Sequence, residues 1–311
     1  MQHFASLQDV NIHGAWLTIG SFDGVHLGHQ KILNALTAGA GKTGAPAVLL
    51  TFFPHPSVVL RGPRESFYLN TPQEKAQLLG DFGIHAVITH SFDMDISRLS
   101  ARDFISNLKN HLGFVKLFVG YDFALGHDRE GNVAWLRNSG REMGFEVQEF
   151  PPVEVEGEVV SSSLIRRYLG EGAIHKANLL LGRPFSLQGE VENGAGRGRT
   201  IGIPTANLAI WQERAVPGSG VYVCRAEVAG EKHAAVANIG VRPTFEEDAA
   251  PRVEAHILDF EGDIYGQNVR LEFFQRLRGE QRFESVDELV AQIETDITQA
   301  REILAQEERS A

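Results

Sequence analysis

The chain is built around one stretch, Thr18-Ile19-Gly20-Ser21-Phe22-Asp23-Gly24-Val25-His26-Leu27-Gly28-His29. A short apolar run, residues 15–19, stops at Gly20, which is typical of a buried strand that ends in a turn. From about His26 onward the apolar residues follow a helical spacing. The stretch therefore predicts a strand, a tight glycine-containing turn and a helix in direct succession.

His26 and His29 stand three residues apart at the start of this predicted helix and so share one of its faces. Unpaired backbone N–H groups and the helix dipole favour an anion at such a helix N-terminus. Gly28 between them leaves room for a ligand or a second backbone to approach. These features predict a phosphate site with two imidazole donors, although two histidines at this spacing also occur on ordinary helix surfaces and in zinc sites.

Composition restricts the class of protein. A length of 311 residues suggests two domains, and 43% hydrophobic and 22% charged residues are ordinary for a globular protein. The single cysteine, Cys224, excludes a disulfide framework and a cysteine-based zinc site. We find neither a signal peptide nor an apolar run long enough to span a bilayer, so we expect a cytoplasmic protein without a membrane partner.

The formal net charge of −11 argues against a nucleic-acid partner, because nonspecific binding to nucleic acid relies on lysine and arginine. The net charge also gives no help in binding an anionic, phosphate-bearing substrate. Such a substrate must be held by local features, namely helix ends, glycine-rich loops, a few arginines and Mg²⁺.

Helix signals alternate with apolar runs of strand length in the first half of the chain, the runs being residues 15–19, 45–53, 85–90 and 115–119. Thr71-Pro72-Gln73-Glu74 is a capping box, and Ser100 opens a further helix. This alternation predicts an α/β domain with a doubly wound parallel sheet, whose ligands bind beyond the carboxyl ends of the strands. Gly20, His55 and Asp122 all follow such strand ends.

A run of three serines, Ser161-Ser162-Ser163, stands before another predicted helix, and Arg166 follows one turn later. Hydroxyls at a helix start cap it and bind phosphate, and an arginine on the next turn can reach the same anion. A serine run is also typical of a flexible linker. We interpret this one as a second part of the phosphate site.

The pattern changes near Leu181, where short strand-like segments begin to follow one another between glycine, proline and acidic turns. The segments are residues 185–191, 220–228, 233–239, 253–258 and 268–274. They predict a small antiparallel β-barrel, closed by a helix that Ser285 caps. The apolar stripe of that helix is Val286, Leu289, Val290, Ile293, Ile297 and Leu304. We place the domain boundary after Gly182, giving domains 1–182 and 183–311.

A glycine-rich loop, residues 194–202, carries Arg197 and Arg199 and leads into Thr205 and Asn207. Backbone N–H groups of such a loop can wrap a phosphate, and the two side chains offer the hard neutral oxygens that Mg²⁺ accepts. In most proteins a glycine-rich hairpin is only a hairpin. The loop is therefore a candidate for a second phosphate site.

Segments along nearly the whole chain resemble, in the family order, signatures of the bacterial bifunctional riboflavin kinase/FMN adenylyltransferase family. In the first half the matches are residues 20–29 to GxFDGxHxGH, 52–56 to FxPHP, 120–126 to GxDFxFG with Ala124 and Leu125 at the variable places, and 160–166 to ISSTxxR with Ser163 in the place of threonine. In the second half they are residues 198–207 to GRxLGxPTAN, 238–245 to NIGxRPTF, and 254–260 to ExHxLDF. The first signature belongs to the nucleotidylyltransferase superfamily.

This resemblance implies that the barrel converts riboflavin and MgATP to FMN, and that the N-terminal domain converts FMN and a second MgATP to FAD. It makes His26 and His29 the groups that bind the triphosphate, and Glu254 the general base toward the ribityl hydroxyl. The other adenylyltransferase contacts it implies are Gly20, Phe22, Asp23, Gly24, Gly28, His55, Asp122, Ser161, Ser162, Ser163 and Arg166. The kinase contacts it implies are Gly196, Arg197, Gly198, Arg199, Pro204, Asn238 and Arg282, with Thr205 and Asn207 as ligands of Mg²⁺.

Two alternatives stay open at this point. In one, the barrel binds flavin without catalysis and only FMN adenylyltransferase activity remains. In the other, neither site turns over and the protein is a nucleotide- or flavin-sensing module. The presence together of both sets of implied catalytic groups counts against each alternative. Riboflavin, FMN and ATP are the expected partners, and self-association is left open.

Overall fold

The computed structural model describes residues 1–62, 66–194, 198, 201–240 and 251–310, with only the backbone of residue 310. The chain divides into two compact units, Met1–Arg64 with Tyr68–Ser162, and Glu65–Phe67 with Ser163–Ala311. The predicted boundary after Gly182 is one between two enzymatic domains. Compact units alone do not test such a boundary, so it stays a prediction. In the described part of the chain, no helix is both long and apolar enough to cross a membrane.

The first unit is built on a parallel sheet. The strands of this unit are β1 (Gln2–Phe4), β2 (Trp16–Ile19), β3 (Ala47–Phe52), β4 (Ala86–His90), β5 (Lys116–Gly120), β6 (Ala124–Leu125), β7 (Gly131–Asn132), β8 (Glu146–Phe150), β9 (Glu154–Val155) and β10 (Glu158–Val159). Outside the parallel sheet, β6 pairs with β7 and β9 pairs with β10, both antiparallel. The sheet has the order β1-β4-β3-β2-β5-β8, and every neighbouring pair in it is parallel. The predicted doubly wound sheet is thus confirmed. The strand order reverses at β2, so the crevice that binds ligands in such sheets lies at its carboxyl end.

Helices connect these strands. They are α1 (Leu27–Thr43), α2 (Pro56–Arg61), α3 (Pro72–Gly80), α4 (Met94–Ser97), α5 (Ala101–Leu112) and α6 (Val133–Met143), with 3₁₀ turns at Leu7–Asp9 and His127–Arg129. The predicted capping box is present, since Thr71 N–H donates to Glu74 Oε2 at 2.7 Å and Glu74 N–H donates to Thr71 Oγ1 at 3.1 Å. Ser100 caps α5 through Asp103 N–H at 3.0 Å. These caps fix where the two helices begin.

The sheet is buried on both faces, which explains why its strands are continuously apolar. Successive side chains of β3 pack into two different hydrophobic clusters. Val48 and Leu50 belong to one cluster, and Leu49 belongs to the other. All three side chains are fully buried. Packing on both faces holds the carboxyl ends of the central strands rigidly in place.

The second unit is a barrel with helices. α7 (Ser162–Gly170) begins at the last residue of the first unit, and α8 (Ile174–Leu181) follows it. The barrel strands are β11 (Phe185–Glu192), β12 (Ala206–Ala209), β13 (Gly220–Val228), β14 (Glu231–Gly240), β15 (Arg252–Ile257) and β16 (Asn268–Arg278). They close in the order β11-β12-β15-β14-β13-β16 with every pair antiparallel, which confirms the predicted barrel. β12 was not predicted.

A helix, Val286–Ser310, closes the barrel and is called here the C-terminal helix. Its Ala300 and Leu304 pack against Val221 and Val223. The predicted stripe is wrong at its start, since the Val286 side chain is 58% exposed. The later turns of the helix lie on the barrel core.

Candidate active sites

The loop between β2 and α1 has a strained backbone. Phe22, Gly24 and Val25 all have positive φ angles, of 47°, 83° and 41°. For Phe and the β-branched Val this left-handed conformation is unfavourable and persists only where the surroundings enforce it. Both side chains are buried, at 2% and 0% exposure, and their packing provides that enforcement. The loop is thus a rigid turn at the carboxyl end of β2.

His26 and His29 lie together at the start of α1, as their spacing predicted. His26 is the N-cap residue, and its Nδ1 accepts the His29 backbone N–H at 3.4 Å. Their rings stack with centroids 3.6 Å apart and planes inclined by 15°, and the Phe22 ring lies 4.8 Å from His29. The arrangement places two imidazoles at a helix N-terminus, where the dipole favours an anion.

Two glycines allow this arrangement through close approach. A Cβ on Gly28 would lie 3.2 Å from Cε1 and Nδ1 of His26. A Cβ on Gly20 would lie 3.0 Å from the Phe22 ring. A side chain at either position would therefore displace an aromatic ring of the candidate site.

Asp23 is directed into the protein. Its carboxylate is buried and accepts the Leu69 N–H through both oxygens, at 3.0 and 3.2 Å. Its backbone carbonyl accepts the Ser162 hydroxyl at 2.9 Å. The structure thus gives Asp23 and Ser162 a role in holding the loop. Their predicted contacts with nucleotide stay predictions.

His55 and Asp122 lie beyond the ends of β3 and β5, where they were predicted. His55 caps α2, its Nδ1 accepting the Ser57 N–H at 3.1 Å, and its own N–H donates to the Tyr68 hydroxyl at 2.9 Å. Asp122 is exposed and lines a cavity of about 460 Å³ with Tyr121 and residues of the β6–α6 segment. The sequence did not indicate Tyr68, because its partner is the backbone of a residue 13 positions earlier.

The serine run does not lie wholly before its helix, where the sequence predicted it. Helix α7 begins at Ser162, so Ser162 and Ser163 belong to its first turn and do not precede it. Ser163 is exposed, whereas Ser161 is half-buried. Arg166 lies one turn later, with its guanidinium 4.0 Å above the Phe67 ring and its Nε donating to the Phe67 carbonyl at 2.5 Å.

A row of polar side chains crosses three barrel strands. Glu254 of β15 lies directly opposite Asn207 of β12 on one side and opposite Asn238 of β14 on the other. Directly paired residues of antiparallel strands share a face of the sheet. The alternating burial of β15 confirms that Glu254 and His256 share the outer, more accessible face. Three residues predicted from separate segments are therefore neighbours.

Arg252, which the sequence analysis missed, joins two members of this row. Its Nε lies 2.9 Å from Glu254 Oε1 and donates to Asn207 Oδ1 at 3.0 Å. His256 Nδ1 lies 2.7 Å from the Pro204 carbonyl oxygen, next to Thr205. Pro204 and Thr205 line a cavity of about 400 Å³. Only the strand pairing, which is invisible in a single sequence, brings Arg252 to Asn207.

The described glycines of the 194–202 loop pass close to these side chains. A Cβ on Gly194 would lie 2.1 Å from Asn207 Nδ2, and one on Gly198 would lie 3.5 Å from Thr205 Oγ1 and 2.2 Å from the Ile203 carbonyl oxygen. The loop therefore approaches Asn207 as only glycine permits. Arg282 is exposed between β16 and the C-terminal helix. The predicted contacts Gly196, Arg197 and Arg199 lie outside the described residues.

The fold combines a parallel α/β unit with a closed β-barrel, and each of the two carries a group of the residues that were predicted to bind a nucleotide, as in a nucleotide-dependent transferase. Two family models match the chain, FAD synthetase over residues 9–164 and riboflavin kinase over residues 181–304. The chain belongs to the family of bifunctional riboflavin kinase/FMN adenylyltransferases, as the sequence motifs predicted.

Curated members of this family are similar over nearly their whole length. The relative from Listeria monocytogenes is 37% identical over 93% of this chain and 92% of its own. Those from Pseudomonas fluorescens and Escherichia coli are each 38% identical, covering 94% and 93% of this chain and 94% and 92% of theirs. A crystal structure of a macrolide-efflux protein from Streptococcus pneumoniae superposes with a TM-score of 0.88 at 32% identity, over 96% of this chain and 98% of that one.

Proposed function

We propose that the chain performs both reactions of its family with the residues described above. ATP phosphorylates riboflavin to FMN in the barrel, and a second ATP adenylylates FMN to FAD in the first unit. The observation that carries the proposal is that each unit holds its own set of groups, the stacked His26 and His29 in one and the Asn207–Glu254–Asn238 row in the other. We also propose that the protein is cytoplasmic.

In the first unit, an oxygen of the FMN phosphate attacks the α-phosphorus of ATP. The bond from that phosphorus to the bridging oxygen breaks, and pyrophosphate leaves with the electron pair. Negative charge grows on the phosphates during this step, and N–H donors fixed beforehand stabilise it. His26 and His29 at the α1 N-terminus supply such donors, while the rigid Phe22–Val25 turn positions them. No covalent enzyme intermediate is needed.

In the barrel, the ribityl 5′-hydroxyl attacks the γ-phosphorus of ATP and ADP leaves. The hydroxyl proton passes to the Glu254 carboxylate, which acts as general base. Arg252 orients that carboxylate toward Asn207. The half-buried position of Glu254 on the outer face leaves it accessible to substrate.

Mg²⁺ fits the barrel site by the chemistry of its donors. Thr205 and Asn207 offer neutral oxygens, and Gly194 approaches Asn207 where a Cβ would fill the space. When bound with ATP, Mg²⁺ neutralises charge on the phosphates. We assign no protein ligand to the Mg²⁺ that accompanies ATP in the first unit. The other site residues predicted from the sequence, Arg166 and Arg282 among them, are kept as proposed contacts.

The barrel assignment is tested by Glu254→Gln. Glutamine keeps the size of the side chain but cannot accept the proton, so we expect FMN formation to fall about 10²-fold or more. Conversion of supplied FMN to FAD should stay within twofold of wild type. Chromatography of riboflavin, FMN and FAD follows both reactions in one preparation. Equal loss of both activities would contradict separate sites.

The assignment of the first unit is tested by His29→Ala. Loss of one charge-stabilising donor should reduce FAD formation from FMN by about 10²-fold or more. FMN formation in the same sample is the control and should be unchanged. Near-normal FAD synthesis by the variant would refute the role of His29.

A further inference from the structure

Lys75 is a buried cation that the proposed mechanism does not use. It belongs to α3, one residue after the Glu74 of the capping box, and its exposure is only 8%. Lysine is seldom buried without a specific partner, because its charge loses solvation. Its Nζ donates to the Ser21 carbonyl at 3.1 Å and to Thr51 Oγ1 at 3.0 Å. The side chain thus connects α3 to the β2–α1 loop and to β3.

The Ser21 carbonyl is fixed from two sides. Besides Lys75, the Thr51 hydroxyl donates to it at 3.0 Å, so ammonium, hydroxyl and carbonyl form a closed triangle. Thr51 is itself fully buried and lies near the end of β3. The triangle therefore ties the loop to the rigid sheet.

Fixing this carbonyl orients the peptide group that joins Ser21 to Phe22. In a trans peptide the C=O and the N–H point in opposite directions, so holding the Ser21 carbonyl inward directs the Phe22 N–H to the other side. Phe22 is the first of the residues with positive φ in the loop, and its ring lies against His29. The Lys75 bond acts on the point where the strained turn begins.

We propose that Lys75 is a positioning residue for adenylyl transfer, holding the β2–α1 loop in its binding conformation through the Ser21 carbonyl. This inference rests on the proposed function of that loop. Lys75 does not touch substrate in this role. It acts through the direction of the loop peptides and the placement of Phe22 against His29.

The charge of Lys75 is sensitive to pH near neutrality. Burial lowers the pKa of Lys75 to about 8 from 10.5, and the Asp23 carboxylate opposes this effect. From the loop, Lys75 is faced by the charged carboxylate of Asp23. From β3 it is faced by Thr51, which does not titrate. On α3 itself, the neighbouring Glu74 carboxylate accepts the Thr71 N–H. As pH rises through 8 the ammonium becomes an amine, a weaker donor to the Ser21 carbonyl. The kcat/KM for FAD formation should therefore decline above pH 8.

The test uses Lys75→Met in the full chain, with Lys42→Met as the matched control. Lys42 is exposed in the last turn of α1. We expect Lys75→Met to lower kcat/KM for FAD formation at pH 7 at least tenfold, with FMN formation and the control variant within twofold of wild type. The decline above pH 8 should be present for FAD formation by wild type, and absent in Lys75→Met and in the permanently charged Lys75→Arg.

Several results would overturn the inference. The first is a kcat/KM for FAD formation by Lys75→Met within twofold of wild type. The second is an equal fall of FAD and FMN formation in that variant. The third is a decline of FAD formation above pH 8 that persists in Lys75→Met and Lys75→Arg. If Lys75→Met does not fold, Thr51→Val removes two of the three hydrogen bonds of the triangle and should lower FAD formation at least threefold. An unchanged rate would refute the inference. Failure of wild type to make FAD from FMN would instead refute the proposed function.

Discussion

At Gly28 we expect a single added methyl group to disturb the candidate site without disrupting the fold. A Cβ there would lie 3.2 Å from the His26 ring and push it off the 3.6 Å stack with His29. We expect Gly28→Ala to reduce FAD formation about tenfold while FMN formation stays unchanged. The measurement is the initial rate of each reaction in the same preparation.

Gly41 is the matched control, because it lies in the same helix and a Cβ there meets no atom within 4 Å. Gly41→Ala should leave both activities unchanged and raise the free energy of unfolding by about 0.5–1 kcal/mol, since alanine is the better helix residue. If Gly28→Ala retained full FAD synthesis, the position of the His26 ring would not matter to catalysis.

Individual site residues differ in how far the sequence could reveal them. His26 and His29 were predictable because helical spacing alone puts them on one face. Lys75 was not, because its partner Ser21 lies 54 positions away and nothing near it marks it as buried. The same holds for Arg252, whose bond to Asn207 spans 45 positions. Such residues are defined by tertiary contacts that a single sequence does not contain.

The C-terminal helix is attached to the barrel by an ion pair as well as by its apolar stripe. Asp296 is 2% exposed and binds Arg278 of β16 through both guanidinium Nε and Nη2, at distances of 2.8–3.2 Å. Removing one partner leaves the other charge buried and unpaired. We expect Asp296→Ala to lower the free energy of unfolding of the barrel by about 3 kcal/mol, measured by urea denaturation.

Glu294→Ala is the control for this change, since Glu294 is exposed on the same helix. It should alter the free energy of unfolding by less than about 0.5 kcal/mol. A loss in Asp296→Ala no larger than in the control would mean that the apolar contacts alone hold the helix.

Strand β12 is an element that the sequence pattern does not predict. Five barrel strands and the parallel sheet were predictable from apolar periodicity, but β12 was not. It has only four residues, Ala206–Ala209, and follows a proline, so its local pattern is that of a loop. Its hydrogen bonds come from β11 and β15, which makes it a strand only in the closed barrel. That closure also places Asn207 opposite Glu254.

Across the whole chain, the order of the motifs predicted two units with one nucleotide site each, and the structure describes a parallel sheet and a closed barrel in that order. The boundary between the two compact units falls at Ser162, within residues 1–182, which the sequence predicts to form the first domain. Packing, which the sequence does not contain, places α7 and α8 with the barrel. Asn178 of α8 bonds Phe185 and Phe273 of the barrel at 2.7 and 2.8 Å.

In the function proposed above, the chain transfers two different parts of ATP at two separate sites. The most direct measurement is a time course with riboflavin, Mg²⁺ and ATP labelled at either the γ- or the α-phosphorus, with the flavins separated by chromatography. We predict that the γ-label enters FMN first and then FAD, while the α-label enters FAD alone. Absence of the γ-label from every flavin would contradict the kinase site, and absence of the α-label from FAD would contradict the adenylyltransferase site.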